Sequence, residues 1–438
     1  MADLKQLARQ IFLETLAAID IPVAMQRKLW RDGWVLHCGD EIVVDLRAFE
    51  RVCVIAIGKA AHAMVEGLVP AIPTNLECEG VVSAPTPPAN VVNGIEYFVG
   101  GHPIPNLESW KAAEAILALL KTCGQRTLVF FLLSGGGSAL VELPLDSNQT
   151  LEDVQQLYST LVTCGAPIGE IGKVRRHLSA VKGGRLAEAA GAATKITLAV
   201  SDVPARQEAA LASGPTLPDP TTVADAHEVL KEYGLRGQLP STTRRWIDEE
   251  RMIETPKTGD PAFWNAHFSL LLGMDDLFHP AHHAAEAKGC ITCCDNTTDD
   301  WPVEKAASFL LGQLEELRQT HPGRRVALIA DGEVSSPVTG DGIGGRNSAF
   351  VLACVEKIAG RRVAVLSAGT DGIDGNSPAA GAVADGETWN RALAMGMNPV
   401  EVFRRSDAYN FFLRLDDAMV IGPTGNNLRD LRVFIAEP

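Results

Sequence analysis

Apolar and polar positions follow two distinct patterns along this chain. Short, mostly apolar runs predict strands that are buried on both faces. These runs are 52–57, 128–133, 195–200, 290–294, 325–330, 363–368 and 413–420. Longer stretches with apolar residues at helical spacing predict helices. These stretches are 4–30, 59–68, 110–120, 151–164, 173–190, 281–288, 303–317, 348–358 and 387–395. Strands that alternate with helices are typical of a parallel sheet, so the predicted fold class is α/β.

The alternation is interrupted between residues 217 and 265. This segment contains LPDPTT, QLPSTTRRW and ETPKTGDP, which are rich in proline and polar residues. A chain of 438 residues is long enough for two domains, each with its own core. We therefore expect an N-terminal domain over 1–240 and a C-terminal domain over 241–438. Because open α/β sheets bind ligands at the carboxyl ends of their strands, we also expect an active site in the cleft between the domains.

Composition and charge narrow the class of protein. Hydrophobic content of 46% and charged content of 21% are typical of a globular chain. The net charge of −15 argues against nucleic-acid binding, because phosphate contacts need a basic face. The sequence has no apolar run long enough to span a bilayer, which argues against a membrane protein. The first residues do not resemble a signal peptide, and nine scattered cysteines suit a reducing compartment, so we expect a cytoplasmic location.

The segment LVFFLLSGGGSAL (128–140) joins an apolar strand to a glycine-rich loop. The glycine-rich loop consists of Ser134, Gly135, Gly136, Gly137 and Ser138. Successive glycines permit positive φ and a close backbone approach, so that several N–H groups can point at one anion. The alternative is a flexible turn after a core strand. We regard the loop as a candidate binding site for a phosphate or a carboxylate.

Two cations stand next to glycines in positions that suit anion binding. Lys59 follows Gly58 directly after the predicted strand 52–57, and a lysine at such a turn can reach a phosphate at a helix N-terminus. Arg346 lies in GDGIGGRN (340–347), before a predicted helix, where its guanidinium can clamp a carboxylate or a phosphate. The alternatives are a solvated lysine and a mobile surface loop.

Positive charge is also dense in KVRRHLSAVKGGRLA (173–187). If 173–190 is one helix, Arg175, Lys182 and Arg185 lie near one face, because they are seven and three residues apart. A glycine pair inside that helix would cost about 2 kcal/mol, which indicates close packing or a ligand. A solvated basic face is the alternative. We count the three cations among the candidate anion-binding residues.

Carboxylates follow several of the predicted strands. Asp202 follows one strand, and Asp371 and Asp374 follow another, while Asp331 and Glu333 follow a third. Such residues suit Mg²⁺, which usually takes one or two carboxylates together with phosphate oxygens and waters. Turn formation or helix capping is the alternative for each of them. The sequence contains no GxxxxGK[ST], which excludes a P-loop, and no GxSxG, which leaves a hydrolase nucleophile elbow without support.

Seven motifs together resemble one family. They are LLSGGGSAL (132–140), RRHLSAVKGGRLA (175–187), SDVP (201–204), ASGPTLPDPTT (212–222), GGRN (344–347), AGTDGIDG (368–375) and IGPTGNNLRDL (421–431). In this order, and over nearly the whole chain, they resemble the class II glycerate 2-kinases, whose C-terminal half is called the MOFRL domain. The motifs HLSAVKGGRLA and SGPTLPDPTT are long enough to be specific.

The resemblance implies the phosphorylation of D-glycerate at its 2-hydroxyl by ATP, with Mg²⁺, to give 2-phosphoglycerate and ADP. It implies a Rossmann-like three-layer N-terminal domain and a C-terminal MOFRL domain, both α/β with largely parallel sheets, and an active site in their cleft. The key lysine of the family matches Lys59, and its key arginine matches Arg346. The family's glycine-rich loop matches the loop at 134–138.

Under this hypothesis Lys59 and Arg346 neutralise the transferring phosphoryl group or the glycerate carboxylate. Asp202 orients the 2-hydroxyl. Mg²⁺ is held by Asp202 or by the loop that contains Asp371 and Asp374. We expect D-glycerate and ATP as small-molecule partners, and neither nucleic acid nor a membrane. The oligomeric state is open, with a homodimer as one alternative.

Three departures from the family pattern bear on function. The family usually reads SDVPGDD, whereas Ala205–Gln207 here replaces the last three residues. The family often reads GGRNQE, whereas Ser348–Ala349 stands here. Where the family tends to show an asparagine after a short strand, this chain reads LLLGMDD (270–276). The departures leave open a kinase of another small hydroxy acid and a catalytically inactive paralogue. A hydroxypyruvate reductase, an older label in the family, is a further alternative, although no dinucleotide-binding fingerprint stands in its proper context.

Overall fold

The computed structural model describes residues 4–39, 41–201, 203, 208–426 and 428–438. The chain divides into two compact units. The N-terminal unit is Ile21–Leu272, and the C-terminal unit combines Gly273–Pro438 with the residues up to Asp20. Each unit contains its own sheet.

The secondary structure alternates between strands and helices in both units. The strands are β1 (Leu29–Asp32), β2 (Val35–Cys38), β3 (Ile42–Asp45), β4 (Arg51–Ile57), β5 (Glu77–Ala84), β6 (Ile95–Val99), β7 (Thr127–Leu133), β8 (Thr194–Val200), β9 (Ala266–Leu272), β10 (Ile291–Asp295), β11 (Val326–Asp331), β12 (Val363–Gly369), β13 (Gly381–Asp385) and β14 (Asp430–Ala436). The helices are α1 (Leu4–Ala18), α2 (Ile21–Lys28), α3 (Ala61–Leu68), α4 (Leu107–Leu120), α5 (Gly137–Leu140), α6 (Leu151–Thr163), α7 (Ile168–Leu178), α8 (Arg185–Ala189), α9 (Val223–Glu232), α10 (Ser241–Asp248), α11 (Met274–Ala287), α12 (Val303–Thr320), α13 (Arg346–Val355), α14 (Thr388–Ala394), α15 (Pro399–Arg404) and α16 (Ala408–Arg414).

A six-stranded parallel sheet forms the centre of the N-terminal unit, in the order β6-β5-β4-β7-β8-β9. The central strands β4 and β7 are apolar along nearly their whole length and are buried on both faces, as their sequences predict. Helices α3 and α4 pack against the sheet. Because the six strands run in the same direction, their carboxyl ends meet at one edge, and this edge carries Lys59 and the glycine-rich loop. A small antiparallel sheet, β1-β2-β3, belongs to the same unit.

The sheet of the C-terminal unit is mixed, in the order β10-β11-β14-β12-β13. The last strand, β14, lies antiparallel between β11 and β12, which therefore run in the same direction. Helices α1, α12 and α13 pack against this sheet. Phe350 of α13 meets Phe434 of β14 edge to face in the core. The predicted α/β fold class is confirmed, and the N-terminal sheet is parallel as expected. The largely parallel sheet expected in the C-terminal unit is wrong, because β13 and β14 both pair antiparallel with their neighbours.

The division between the units differs from the boundary expected near residue 240. Strand β9 pairs in parallel with β8 and completes the N-terminal sheet, so the chain belongs to the N-terminal unit up to Leu272. Helix α1 packs against β12, β13 and β14 and joins the C-terminal unit, although it comes first in the chain. The sequence pattern does not predict the boundary at Leu272, because a proline-rich loop before an edge strand resembles an interdomain linker. It does not predict the place of α1 either, because its partners are distant in the chain.

The helix predicted over 173–190 is wrong. Helix α7 ends at Leu178, and α8 begins at Arg185. Between them Gly183 and Gly184 have φ of +58° and +86°, the left-handed region that glycine adopts without strain. The argument that 175, 182 and 185 share one helix face fails with it, and the glycine pair turns the chain instead of interrupting a helix.

Two further predicted elements need correction. The helix predicted over 4–30 is two helices, α1 and α2, which begin and end within that stretch. The strand predicted over 413–420 is wrong, because α16 continues to Arg414. The last strand is β14, which was not predicted. Its sequence, DLRVFIA, begins with alternating charged and apolar residues and so lacks a continuous apolar run.

Because α1 packs in the C-terminal unit, truncation of a buried α1 side chain should destabilise that unit and leave the N-terminal unit unaffected. Phe12 is fully buried, whereas its neighbour Leu13 is 46% exposed. We expect Phe12→Ala to destabilise the C-terminal unit by about 3–5 kcal/mol, because it leaves a cavity in the core. The matched variant Leu13→Ala should change stability by less than about 0.5 kcal/mol. Hydrogen exchange read by mass spectrometry should accelerate in β12 and β14 of Phe12→Ala and stay unchanged in β4 and β7. Faster exchange in β4 and β7 would contradict the assignment of α1 to the C-terminal unit.

Candidate active site

The glycine-rich loop is fixed to the end of the neighbouring strand β4. The Ser134 N–H donates to Ile57 O at 3.0 Å, and the Lys59 N–H donates to Gly135 O at 3.0 Å. The Ser134 hydroxyl accepts a hydrogen bond from the Ala60 N–H at 3.0 Å. These bonds hold the backbone on both sides of Lys59 and disfavour the alternative of a flexible turn.

Gly58 permits this close approach between the two strand ends. Its φ is +130°, and a Cβ at this position would lie 2.1 Å from Ser134 Oγ and 2.6 Å from Ser134 O. A side chain therefore fits neither the space nor the backbone conformation. The other end of the loop is equally fixed, because Ser138 Oγ lies 2.6 Å from Ser213 Oγ and the Tyr158 hydroxyl donates to Ser138 O at 2.7 Å.

Basic side chains surround the middle of the loop. Gly136 has φ of +81°, and a Cβ on it would lie 3.2 Å from His102 Cδ2 and 3.5 Å from Lys59 Cγ. The pKa of His102 is lowered, first by burial and then by the positive charges of Lys59 and Arg175. Near neutral pH this favours an uncharged imidazole at His102. Sequence reasoning missed His102, although it follows the glycine pair 100–101 directly after the end of β6.

Arg175 differs from the other two cations that were predicted to bind anions. Its guanidinium carbon lies 4.3 Å from the centre of the Tyr158 ring, a cation–π contact that orients the side chain. The Arg175 Nε is buried and has no hydrogen-bond partner among the described residues. Arg175 is therefore positioned by packing while part of its donor fork remains unused.

Lys182 and Arg185 are engaged by the fold itself. Lys182 is fully buried and forms an ion pair with Glu142 at 2.9 Å. Arg185 donates through Nε to Ser179 O at 2.9 Å and through Nη2 to Ile253 O at 2.9 Å. These contacts hold loops of the N-terminal unit together, so the geometry gives no support to the anion-binding role predicted for the two residues.

Arg346 of the C-terminal unit is held by two carboxylates. Its Nε donates to Asp430 Oδ2 at 2.6 Å, and its Nη1 donates to Glu333 Oε2 at 2.7 Å. Burial disfavours the charge of Arg346, but the two carboxylates outweigh this effect and raise its pKa. The Asp430 side chain is 3% exposed, whereas that of Glu333 is 42% exposed. Sequence reasoning missed Asp430 because it is the first residue of the unpredicted strand β14.

The structure supports helix capping, the alternative considered for Asp374. Its Oδ1 accepts the Asn347 N–H at 2.9 Å, and its Oδ2 accepts the Ser348 N–H at 2.8 Å and the Ser348 hydroxyl at 2.7 Å. A carboxylate here satisfies N–H groups that have no partner within the helix and complements the helix dipole. Asp371 likewise accepts the Ile373 N–H at 3.0 Å within its own turn.

A second charged group lies at the end of β11, where sequence reasoning named only Asp331 and Glu333. Asp331 is fully buried, and Arg429 Nη1 lies 3.6 Å from its Oδ2. Arg429 also forms an ion pair with Asp299, and Arg432 donates to the Asp331 carbonyl oxygen at 3.0 Å. Burial raises the pKa of Asp331 to about 6, while the charge of Arg429 opposes the shift.

The structure describes only part of the predicted metal site, because it does not describe Asp202. Among the residues that the structure describes, no three His, Cys, Asp or Glu side chains are arranged to hold a metal ion. Asp202 lies outside the described residues, so the roles predicted for it stay predictions. The same described part of the chain contains no helix that is both long and apolar enough to cross a membrane.

Comparisons with known proteins identify the family. The profile of a domain of unknown function, DUF4147, matches residues 7–248, and the MOFRL family matches residues 326–430. The D-glycerate 2-kinase of Thermotoga maritima is 35% identical to this chain over 87% of the chain and 90% of its own length. The chain belongs to the class II glycerate 2-kinase family.

Other members of the family agree in sequence and structure. The glycerate 2-kinase of Pyrococcus horikoshii is 32% identical over 90% of both chains. The crystal structure of a glycerate kinase from Thermotoga maritima is 32% identical, covers 100% of both chains and has a TM-score of 0.84. A protein of Agrobacterium vitis, provisionally named a hydroxypyruvate reductase, is 32% identical over 98% of this chain and 94% of its own length. The predicted family is thus confirmed, and one of these relatives carries the name of a different activity.

Two of the three departures from the family pattern have local structural roles. Ser348 Oγ accepts the Gly345 N–H at 3.2 Å, so this serine completes the start of α13. In the segment 270–276, Asp276 Oδ2 accepts the Gly273 N–H at 2.9 Å and completes the start of α11. The third departure, Ala205–Gln207, lies outside the described residues.

The raised pKa of Asp331 predicts pH-dependent stability. The folded protein binds this proton more tightly than the unfolded chain, so the contribution is fully present below pH 3.8 and is lost as pH rises through about 6. Asp331→Asn keeps the position neutral. We expect it to be more stable than the parent at about pH 7.5, by up to about 3 kcal/mol, and the gain should shrink towards about pH 5. Thermal melting at the two pH values measures this. Destabilisation at both would show that the ion pair with Arg429 outweighs the cost of burial.

Proposed function

We propose that this protein transfers a phosphoryl group from ATP to the 2-hydroxyl of D-glycerate and releases 2-phosphoglycerate and ADP. The observation that carries the proposal is the group of basic side chains, Lys59, His102 and Arg175, around a glycine-rich loop at the carboxyl end of a parallel sheet. Such a group suits an anionic ligand. The names of the kinase relatives support glycerate as the acceptor.

Each basic residue of the N-terminal unit suits one task. Phosphoryl transfer needs alignment and charge neutralisation more than covalent chemistry. The ammonium of Lys59 is a compact charge that can neutralise phosphoryl oxygens. The planar guanidinium of Arg175, with its unpartnered buried Nε, fits the glycerate carboxylate. The imidazole of His102, which its lowered pKa keeps neutral, can accept a hydrogen bond from the substrate hydroxyl.

Arg346 supports a second phosphate contact, within the C-terminal unit. Its buried partner Asp430 fixes the guanidinium, and its half-exposed partner Glu333 occupies the outer donors. An incoming phosphate can replace Glu333 while the bond to Asp430 remains. We therefore propose that Arg346 binds a phosphate oxygen of ATP by exchanging one carboxylate for it.

Mg²⁺ is proposed only as the companion of ATP, since metal ions neutralise phosphate charge in such transfers. The described residues do not supply a three-ligand site for it, and Asp374 is engaged at the start of α13. Asp374 is therefore poorly suited to Mg²⁺, which would need only one or two other carboxylates together with phosphate oxygens and waters. The metal-binding roles of Asp202 and Asp371 stay predictions.

Lys59→Ala tests the proposal directly. Removing one fixed cation from a phosphoryl-transfer site should lower kcat/KM for D-glycerate by about a hundredfold or more. The matched control is Lys111→Ala, which removes an exposed lysine of α4 in the same unit and should leave kcat/KM unchanged. A coupled assay with ATP, Mg²⁺ and D-glycerate measures the rate through ADP release. Separate identification of 2- or 3-phosphoglycerate tests the position of the transfer.

Two outcomes would contradict the proposal that this protein is a kinase. One is equal activity of Lys59→Ala and Lys111→Ala. The other is oxidation of NADH with hydroxypyruvate in place of ADP release, which would favour the reductase named for the Agrobacterium vitis relative. Turnover with a different small hydroxy acid, lost in Lys59→Ala, would keep the kinase chemistry and change the acceptor.

The two carboxylates on Arg346 should differ in their effects. Asp430→Asn removes the buried partner and loosens the guanidinium, so we expect kcat/KM for ATP to fall by about tenfold to a hundredfold. Glu333→Gln removes the exposed competitor, so KM for ATP should stay equal or fall. Steady-state kinetics with varied ATP measure both. A larger loss in Glu333→Gln than in Asp430→Asn would contradict the exchange of Glu333 for phosphate.

A further inference from the structure

Two cysteines lie in contact at the amino-terminal end of the sheet in the N-terminal unit. Cys53 is the third residue of β4, and Cys123 lies in the connection between α4 and β7. Their Sγ atoms are 3.7 Å apart. Cys53 is buried, and Cys123 is half-buried. The glycine-rich loop lies at the opposite, carboxyl end of the same strands, so the proposed kinase chemistry does not involve this pair.

We propose that Cys53 and Cys123 are a disulfide-forming pair that is oxidised by a small-molecule disulfide. A disulfide needs its two sulfurs at about 2.05 Å. The observed separation of 3.7 Å must therefore shrink by about 1.7 Å, which is within reach of a side-chain rotation and a small loop movement. Cys123 can move because it lies in a connecting loop, whereas Cys53 is fixed in a central strand.

Cys123 is half-buried and lies beside a surface cavity, although its own side chain is not among the residues that line this cavity. The cavity has a volume of about 670 Å³, and its lining includes Thr122 and Gly124, the two chain neighbours of Cys123. Pockets that hold small molecules measure about 300–1,000 Å³, so the space next to Cys123 is large enough for a small disulfide. Because Cys53 is buried, the first attack must take place at Cys123.

The charges around the pair favour the same order of events. The hydrogen bond between the two thiols lowers the pKa of Cys123, burial opposes this shift, and Arg51 adds to it. The same hydrogen bond, and then burial, raise the pKa of Cys53. Glu79 Oε1 lies 3.7 Å from Cys53 Sγ and disfavours a thiolate there, although Arg51 bonds this carboxylate at 2.6 Å. Cys123 is the more accessible of the two thiols, so it acts as the nucleophile, and the buried Cys53 resolves the intermediate.

The oxidation proceeds in two exchange steps. The Cys123 thiolate attacks one sulfur of the small disulfide, forms a mixed disulfide and releases one small thiolate. Cys53 then gives its proton to solvent and attacks Cys123 Sγ, which releases the second small thiolate. The protein loses two protons and two electrons, and the small disulfide is reduced to two thiols. The new bond ties β4 to the connection that leads into β7, and it restricts the unfolded chain.

Peptide mapping after oxidation tests this pair. The parent for the test carries Cys293→Ser and Cys294→Ser, because these exposed thiols would react as well. The reduced full-length protein is incubated with oxidised glutathione, quenched with acid, alkylated and digested. We expect a cross-linked peptide pair that contains Cys53 and Cys123, the loss of alkylation at these two positions, and a higher melting temperature. The fully buried Cys354 should remain a thiol and serves as an internal control.

Single variants separate the two roles. In Cys53→Ser, glutathione should remain on Cys123, and the melting temperature should not rise. In Cys123→Ser, Cys53 should acquire no glutathione. If either variant does not fold, peptide mapping of the parent still tests the proposal, since the parent is unchanged at Cys53 and Cys123. Free thiols at both positions, or stable glutathione on Cys123 of the parent without a cross-link, would overturn the proposal. Kinase activity is not the readout, so failure here leaves the proposed function untouched.

Discussion

The contact between the ends of β4 and β7 is the constraint on which the N-terminal site depends. Gly58 approaches Ser134 so closely that a side chain has no room, and the Lys59 N–H is bonded to Gly135 O. The backbone position of Lys59 therefore follows from the pairing of two buried strands. Such a fixed backbone suits the phosphate contact that we propose for Lys59, because a misplacement of about 1 Å can cost a hundredfold in rate.

The C-terminal unit reaches a similar result by a different route. Asp374 bonds the first N–H groups of α13 and so fixes the helix that begins with Arg346. Asp430, at the start of β14, then fixes the guanidinium. One carboxylate thus determines where the helix begins, and the other determines where the side chain points. The strand β14 is essential to the position of Asp430, since it lies between β11 and β12 and brings this residue to their carboxyl ends.

The sequence was informative where local pattern decides structure. Apolar runs predicted the buried strands β4, β7, β11 and β12, and residue types at their ends pointed to Lys59 and the glycine-rich loop. The sequence did not predict the features that depend on contacts between residues far apart in the chain. Lys182 looked like a ligand-binding cation, but its charge is neutralised by Glu142, forty positions earlier in the chain, and no local feature shows that pairing. Helix α1 and strand β9 have ordinary amphipathic or apolar patterns, so their partners are fixed only by packing.

The two candidate anion sites, the glycine-rich loop and Arg346, differ in the charges that already surround them. Around the glycine-rich loop, burial and then the positive charges of Lys59 and Arg175 lower the pKa of His102, so an anion there would meet two cations within an acidic protein. Arg346 already has two carboxylates, so an anion must displace one of them. Breaking a half-exposed pair costs about 0–1 kcal/mol, whereas leaving a buried charge unpaired costs about 3–5 kcal/mol. Exchange is therefore feasible at Glu333 and unfavourable at Asp430, so the phosphate affinity that we propose for Arg346 would be limited by its own partner Glu333.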